Sequence, residues 1–245
     1  MGGGGGPSVI TVLVPAGAHP AGSRAPIEES EAHHLRVRRA AAGEPVGIRD
    51  GVGLVGTGRT VQEGRSWLVE VEAVAEAPRP AELILAVGAG DRERFGWLVE
   101  KATELGVTAI VPLQTERTAG VATGVRQQHL EKLRRQALEA LKQCGAAWAP
   151  VLEEPVELGE FLRRPRAGRL WLADPAGEAP AATLDNAPLS VVVGPEGGLS
   201  ERERAAVLAA GYRPRALGPH TLRFETAALA AAVAVTTARL RGIRG

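Results

Sequence analysis

Leu189–Glu203 reads LSVVVGPEGGLSERE, and this stretch decides how the second half of the chain is read. An apolar, β-branched run enters a Gly/Pro loop, Gly194-Pro195-Glu196-Gly197-Gly198, that carries one acid. Ser200-x-x-Glu203 follows with the spacing of a capping box, in which the Ser side chain and the Glu carboxylate satisfy free amides at a helix start. Residues 217–232, LGPHTLRFETAALAAA, repeat the plan: a short strand, a Gly/Pro loop and a helix. In open α/β sheets, ligands sit outside the carboxyl ends of the strands. Both loops belong there, and their glycines permit positive φ and close backbone approach. The pair is therefore read either as a ligand site built largely of backbone or as two ordinary strand-to-helix turns.

Upstream, AELILAVGA, VTAIVPLQ and RLWLADP read as strands. Between them lie helical patterns: RERFGWLVEKATELG, ending at Gly106, and HLEKLRRQALEALKQCG, with Leu130, Leu133, Ala137, Leu141 and Cys144 on one face. Alternating strands and helices predict a parallel sheet covered by helices. The last helix, Glu225 to Leu240, has no polar face over its first three turns, which predicts burial or an oligomer interface. Before the break at Ala77-Pro78-Arg79-Pro80 the pattern differs. VITVLV, EPVGIRD, LVGTGRTVQ and SWLVEVEAV are short, β-branched and separated by turns. They are interrupted by one short basic helix, from a possible Ser30 cap to Gly43. The expected organisation is a β domain over 8–76 and an α/β domain over 80–245.

Composition sets limits. At 245 residues and 44% apolar content a core needs no covalent staples, and a lone cysteine, Cys144, excludes a disulfide framework and a cysteine zinc site. No signal peptide and no run of membrane-spanning length is read, so a cytosolic protein is expected. Gly2 to Gly6 read as a disordered leader. Net charge is +1, which gives no strong nucleic-acid signal. Of 29 basic residues only Lys101, Lys132 and Lys142 are lysine. Arginine suits bidentate phosphate contacts, but a GC-rich genome gives the same bias. Gly51-Val52-Gly53-Leu54-Val55-Gly56 matches a dinucleotide fingerprint literally, yet it opens a hairpin-like sequence rather than a helix, and it is read as a Gly-rich turn. His33-His34 lacks a third ligand, so no metal is expected. Lys101 and Glu104, at i and i+3, read as a helix-surface or interface pair.

Taken together, LSVVVGPEGGLSERE and LGPHTLRFETAALAA resemble the SPOUT methyltransferases, and within them the RsmE family of 16S rRNA (uracil-N3)-methyltransferases. EAHHLRVRRAAAGE, DRERFGWLVEKATELGVTAIVPLQTERT and ALEALKQCGAAWAP are similar to that family too, so the likeness runs in order through almost the whole chain. It implies an N-terminal PUA-like β-barrel followed by an α/β SPOUT domain with a deep C-terminal trefoil knot. It also implies a homodimer, S-adenosylmethionine as methyl donor, and 16S rRNA, within the small ribosomal subunit, as partner. On that reading Leu172, Gly194, Pro195, Gly197, Gly198, Leu217, Gly218, Leu222 and Thr226 hold the cofactor. Arg223 stabilises the uracil anion or grips phosphate, the alternative being an ion pair with Glu225. Glu196 accepts a hydrogen bond or a proton, the alternative being a loop acid bonded to nearby amides. Arg36, Arg38, Arg39 and Arg92 are candidate RNA contacts, or solvated helix faces. The chain departs from the family's usual pattern at His220 and Ala147, where arginine is usual, and at Ala41, where lysine is. These departures remove basic contacts from the RNA grip rather than from the cofactor site.

Overall fold

The structure, a computed structural model, describes residues 10–118, 121 and 124–244. The Gly2–Gly6 leader and the first two residues of the 8–76 domain lie outside the described residues. The chain divides into two compact units: residues 1–79 with 141–149, and residues 80–140 with 150–245. The break falls at the Pro-rich segment, but Leu141–Ala149 group with the first unit, which a contiguous division at residue 80 does not provide.

The first unit holds β1 (Ile10–Leu13), β2 (Arg24–Pro26), α1 (Glu29–Val37), β3 (Pro45–Arg49), β4 (Leu54–Glu63) and β5 (Ser66–Glu76). The strands form one sheet in the order β1-β3-β4-β5-β2. β1 runs parallel to β3, and the other pairs are antiparallel. Among the described residues β1 and β2 are the free ends of this path, so no ladder closes it into the expected barrel. Gly51–Gly56 leads into β4, with Gly51 and Gly53 at positive φ, and no helix follows it. The basic helix is shorter than its sequence suggests, and its N-cap position is Glu28, which makes no side-chain cap bond, rather than Ser30. It stops because Ala40 N bonds back to Leu35 O at 2.9 Å and Arg39 N to Arg36 O at 3.0 Å. That reversal needs a left-handed residue, and here it is Arg39, at φ 57, where glycine is usual.

The second unit is a helix-covered parallel sheet. Its elements are β6 (Leu83–Gly88), α2 (Arg92–Glu104), β7 (Ala109–Gln114), α3 (Leu130–Cys144, whose last residues group with the first unit), β8 (Val151–Leu152), β9 (Val156–Glu157), α4 (Leu158–Arg163), β10 (Arg169–Glu178), β11 (Leu189–Val193), α5 (Glu201–Ala209), β12 (Arg213–Arg215) and α6 (Phe224–Arg244). A single 3₁₀ turn, Gln127–His129, precedes α3. The strand order is β12-β10-β11-β6-β7-β8, with β9 also paired to β7, and every pairing is parallel. All six residues of β6 and all five of β11 are buried, as a sheet covered on both faces requires. Leu83, Leu85 and Val87 pack with Phe95 and Leu98 of α2, Leu130 and Leu133 of α3, and Ala228 and Val235 of α6. The alternate residues Ile84 and Ala86 pack with Phe161 of α4 and Val207 of α5.

Local chemistry explains the helix ends. Asp91 caps α2 by accepting from Glu93 N at 2.9 Å and Arg94 N at 3.1 Å. Gly106, at φ 74, ends it. Lys101 pairs with Glu100 and with Glu104 on its surface. Cys144 departs from the expected apolar face of α3. It is exposed and rests on the Leu141 carbonyl, while Leu130, Leu133, Ala137 and Leu141 are buried. By length and composition Phe224–Ile243 is a run that could cross a membrane, which the sequence reading did not count. In this fold one face of α6 belongs to the core, and Arg239 ties it to the sheet through the carbonyls of Ala81, Glu82 and Ala187.

Candidate functional site

A cavity of about 260 Å³ opens at the carboxyl ends of β11 and β12 and along β10 where its pairing with β11 stops at Leu172. That places it where open α/β sheets bind ligands, and near the lower end of the ~300–1,000 Å³ typical of small-molecule sites. Leu172, Gly194, Pro195, Gly198, Leu217, Gly218 and Leu222 all line it, and so does Glu196. The two loops read from sequence are therefore walls of one cavity. Gly197 lies between lining residues but points away, against Arg117. Thr226 is exposed on the first turn of α6 and does not line the space. Arg223 is exposed between Leu222 and Phe224, which do line it. Its guanidinium has no partner among the described residues, so it makes no ion pair with Glu225.

The β11–α5 wall is fixed by close contacts. Gly198 N donates to Pro195 O at 2.7 Å, closing a four-residue turn, and Gly198 sits at φ 73. Pro195 packs on the end of β6 so tightly that a Cβ on Gly88 would stand 2.5 Å from its nitrogen. The Glu196 carboxylate lies over Gly90, where a Cβ would meet Oε2 at 2.5 Å. The capping box is formed: Ser200 Oγ accepts from Glu203 N at 3.2 Å, and Glu203 Oε2 accepts from Ser200 N at 2.9 Å.

The cavity has an apolar side, with Leu172, Val193, Leu217, Leu222, Phe224 and Ala227, and a polar end. At that end Asp174 Oδ2 accepts from Arg204 Nε at 2.8 Å, and Oδ1 accepts from Ala176 N at 2.9 Å. Burial alone would raise the Asp174 carboxyl, but these two hydrogen bonds outweigh it and hold it below the usual carboxylate range. Arg215 lies 5.9 Å over Trp171 and pairs with Glu178 at 3.2 Å. Sequence reasoning missed Asp174, Arg204 and Arg215. Asp174 lies inside β10, just past the point where its pairing with β11 stops at Leu172, so the strand-end rule applied to the RLWLADP reading would have found it although the strand itself runs on to Glu178.

Of the proposed RNA contacts, Arg36, Arg38 and Arg39 cluster at the end of α1, exposed, with Arg38 paired to Glu44. Arg92 is exposed at the first position of α2, in the other unit.

Residues 77–236 match the model of a family described as an RNA methyltransferase domain. The chain belongs to this family. Two curated relatives are both named ribosomal RNA small subunit methyltransferase E. The one from Aquifex aeolicus is 30% identical over 217 residues, covering 82% of this chain and 89% of the relative. The one from Mycobacterium bovis is 31% identical over 222 residues, covering 84% of each. Among solved structures, a ribosomal RNA small subunit methyltransferase E from Neisseria gonorrhoeae, bound to S-adenosyl methionine, superposes with a TM-score of 0.81 at 25% identity. It covers 92% of this chain and 96% of its own.

The donor set suits such a cofactor. Gly194 offers bare backbone to the cavity, where even a Cβ would press at 3.1 Å on Leu199 N. A flat aromatic base fits the leucine walls, and a zwitterionic amino-acid tail fits an end that carries both a carboxylate and guanidinium groups.

Proposed function

We propose that this chain is an S-adenosylmethionine-dependent methyltransferase acting on N3 of one uridine in the 16S rRNA of the small ribosomal subunit, in the cytoplasm. The observation that carries the reading is the convergence of the GPEGG and LGPHTLR loops on one cavity with an apolar wall and a charged end. The family and its named relatives supply the substrate class.

When bound, S-adenosylmethionine supplies an electrophilic methyl group on a positively charged sulfur. The chain's own residues have three tasks. Leu172, Leu217 and Leu222 hold the cofactor's base, with Gly194, Pro195, Gly197, Gly198, Gly218 and Thr226 shaping or flanking the loops around it. Arg223, exposed at the rim, stabilises the uracil anion left when N3 gives up its proton, an electrostatic role worth about 10²–10³ in rate at comparable sites. Glu196, at the cavity beside Gly90, takes that proton. With that proton gone, the N3 electron pair would be free to take the methyl group that the cofactor would supply when bound, the C–S electron pair staying with the cofactor. Much of the acceleration comes from holding the two reacting atoms in line.

Arg36, Arg38, Arg39 and Arg92 would contact RNA phosphates, which position the substrate without reading its sequence. The first unit is proposed to be PUA-like, supported by its five-stranded sheet with a parallel first pair. A trefoil knot in the second is supported by the route of the chain. From β11 it passes β10 to reach the edge strand β12, then returns as α6 over β6 and β11. A homodimer is supported by the neighbouring helices α2 and α6, which leave Trp97 48% and Leu240 57% exposed.

Nucleoside mass spectrometry of small-subunit rRNA from a strain lacking the gene tests the activity. Loss of 3-methyluridine, restored by the wild-type gene, is the expected result. Unchanged 3-methyluridine contradicts it, and loss of a ribose 2′-O-methyl signal instead would reassign the chemistry.

A further inference from the structure

The Gly194–Leu199 loop is held from a direction that none of its own motifs announces. After β7, Thr115–Thr118 forms a turn in which Thr115 N donates to Thr118 Oγ at 2.8 Å and Thr118 N to Thr115 O at 3.0 Å. Two ties run from this turn to the neighbouring loop. Glu116 N donates to Glu203 Oε1 at 2.8 Å. Glu203 is only 8% exposed, and its other oxygen already accepts from Ser200 N. One buried carboxylate thus serves the helix cap and a backbone amide 87 residues away. The second tie is Arg117, whose Nη1 donates to the Gly197 carbonyl. Its side-chain stem lies along the same glycines: a Cβ on Gly197 would stand 3.2 Å from Arg117 Cδ, and one on Gly198 would stand 3.6 Å from Nη1.

Gly194, Pro195, Glu196 and Gly198 line the cavity, whereas Arg117 does not. Arg117 therefore grips the outer side of a turn whose inner side faces the ligand space. A Gly-Gly turn has more backbone freedom than any other pair, and ordering it costs conformational entropy. Ordering it before the ligand arrives removes that cost from binding.

We propose that Arg117, on a turn that Glu203 holds through the Glu116 amide, is a positioning residue that presets the GPEGG turn for the methyl donor. This rests on the cofactor assignment above. The signature is a split: cofactor affinity depends on Arg117, while turnover at saturating cofactor does not.

The test compares wild type, Arg117→Ala and Arg117→Lys as full-length proteins. Arg117→Ala is expected to weaken S-adenosylmethionine binding by calorimetry about tenfold, with the thermal midpoint within about 2 °C and kcat on rRNA at saturating cofactor unchanged. Arg117→Lys keeps a donor for the carbonyl and is expected to recover part of the loss. Hydrogen exchange of the cofactor-free proteins supplies an independent reading: the Glu196–Gly198 amides should exchange faster in Arg117→Ala than in wild type. Equal exchange and equal affinity in Arg117→Ala would overturn the proposal. Loss of rRNA affinity or of kcat with cofactor affinity intact would overturn it too, by making Arg117 an RNA contact. A wild type that binds no S-adenosylmethionine would strike at the cofactor assignment, while the exchange result would still decide whether Arg117 orders the turn.

Discussion

Between β11 and α5 the chain is tied down at every step, while between β12 and α6 it is nearly free. The first loop has its own turn bond, a proline wedged on β6, a capping box, and two ties from the turn after β7. The second is bonded only at its ends among the described residues: Ala216 N donates to Glu178 O at 2.9 Å, and Arg223 O accepts from Ala227 N at 2.8 Å. His220, Thr221 and Arg223 are all exposed there. On the proposed reading both walls hold the cofactor, the first as a rigid surface, while the second, through Arg223, also meets the RNA. A loop with few bonds opens at low cost, as substrate-contacting segments must.

The largest expected effect lies on the free wall. Arg223→Ala should lower kcat about 10²–10³-fold with S-adenosylmethionine affinity within about twofold, because its side chain does not line the cavity. A comparable loss of cofactor affinity would erase the contrast between the walls.

The braced wall should answer in stability instead. Glu203→Ala leaves the Glu116 and Ser200 amides without their acceptor and removes half of a capping box, an expected cost of about 1–3 kcal/mol in a denaturant titration. Gly88→Ala should cost about 1–3 kcal/mol, since the new Cβ would have to displace Pro195. Either variant at wild-type stability would mean that this wall is less constrained than its contacts require.

The smallest effect is in pH. The Asp174 carboxyl is held below its ordinary value of 3.8, because hydrogen bonds from Ala176 and Arg204 outweigh burial. A depressed carboxyl contributes stability that is fully present above the ordinary value and is lost as pH falls through the lower, native one. Asp174→Asn should therefore flatten the acid limb of the stability profile below about pH 4 and lower stability in the neutral region, where the wild-type carboxylate contributes fully, with the two proteins converging in acid. An acid limb with the wild-type slope would remove Asp174 from the account.

What the sequence reveals here depends on the range of the interaction. The strand-loop-helix units, the Ser200–Glu203 cap and the Gly106 stop are legible because each is a pattern of a few neighbouring residues. β2, β8, β9 and α4 are not, for they are 2–6 residues long and exist only through what they pair with. The end of α1 is not legible because its stop is an arginine in a conformation that usually signals glycine. In the site, Leu172, Gly194 and Leu217 were found by loop position and family likeness. Glu203 is legible as a cap and not as a brace, and no local pattern marks Arg117. Their second partners lie 87 and 80 residues away, a separation that periodicity does not register.

The central claim is that the two loops wall one S-adenosylmethionine site. Calorimetric titration of the cofactor into wild type and Leu222→Trp, a substitution that fills the cavity from the free wall, tests it most directly. The account expects one cofactor bound per wild-type chain and binding abolished in the variant, whose circular dichroism stays native. Absence of binding to wild type, or an unchanged affinity in Leu222→Trp, would contradict it.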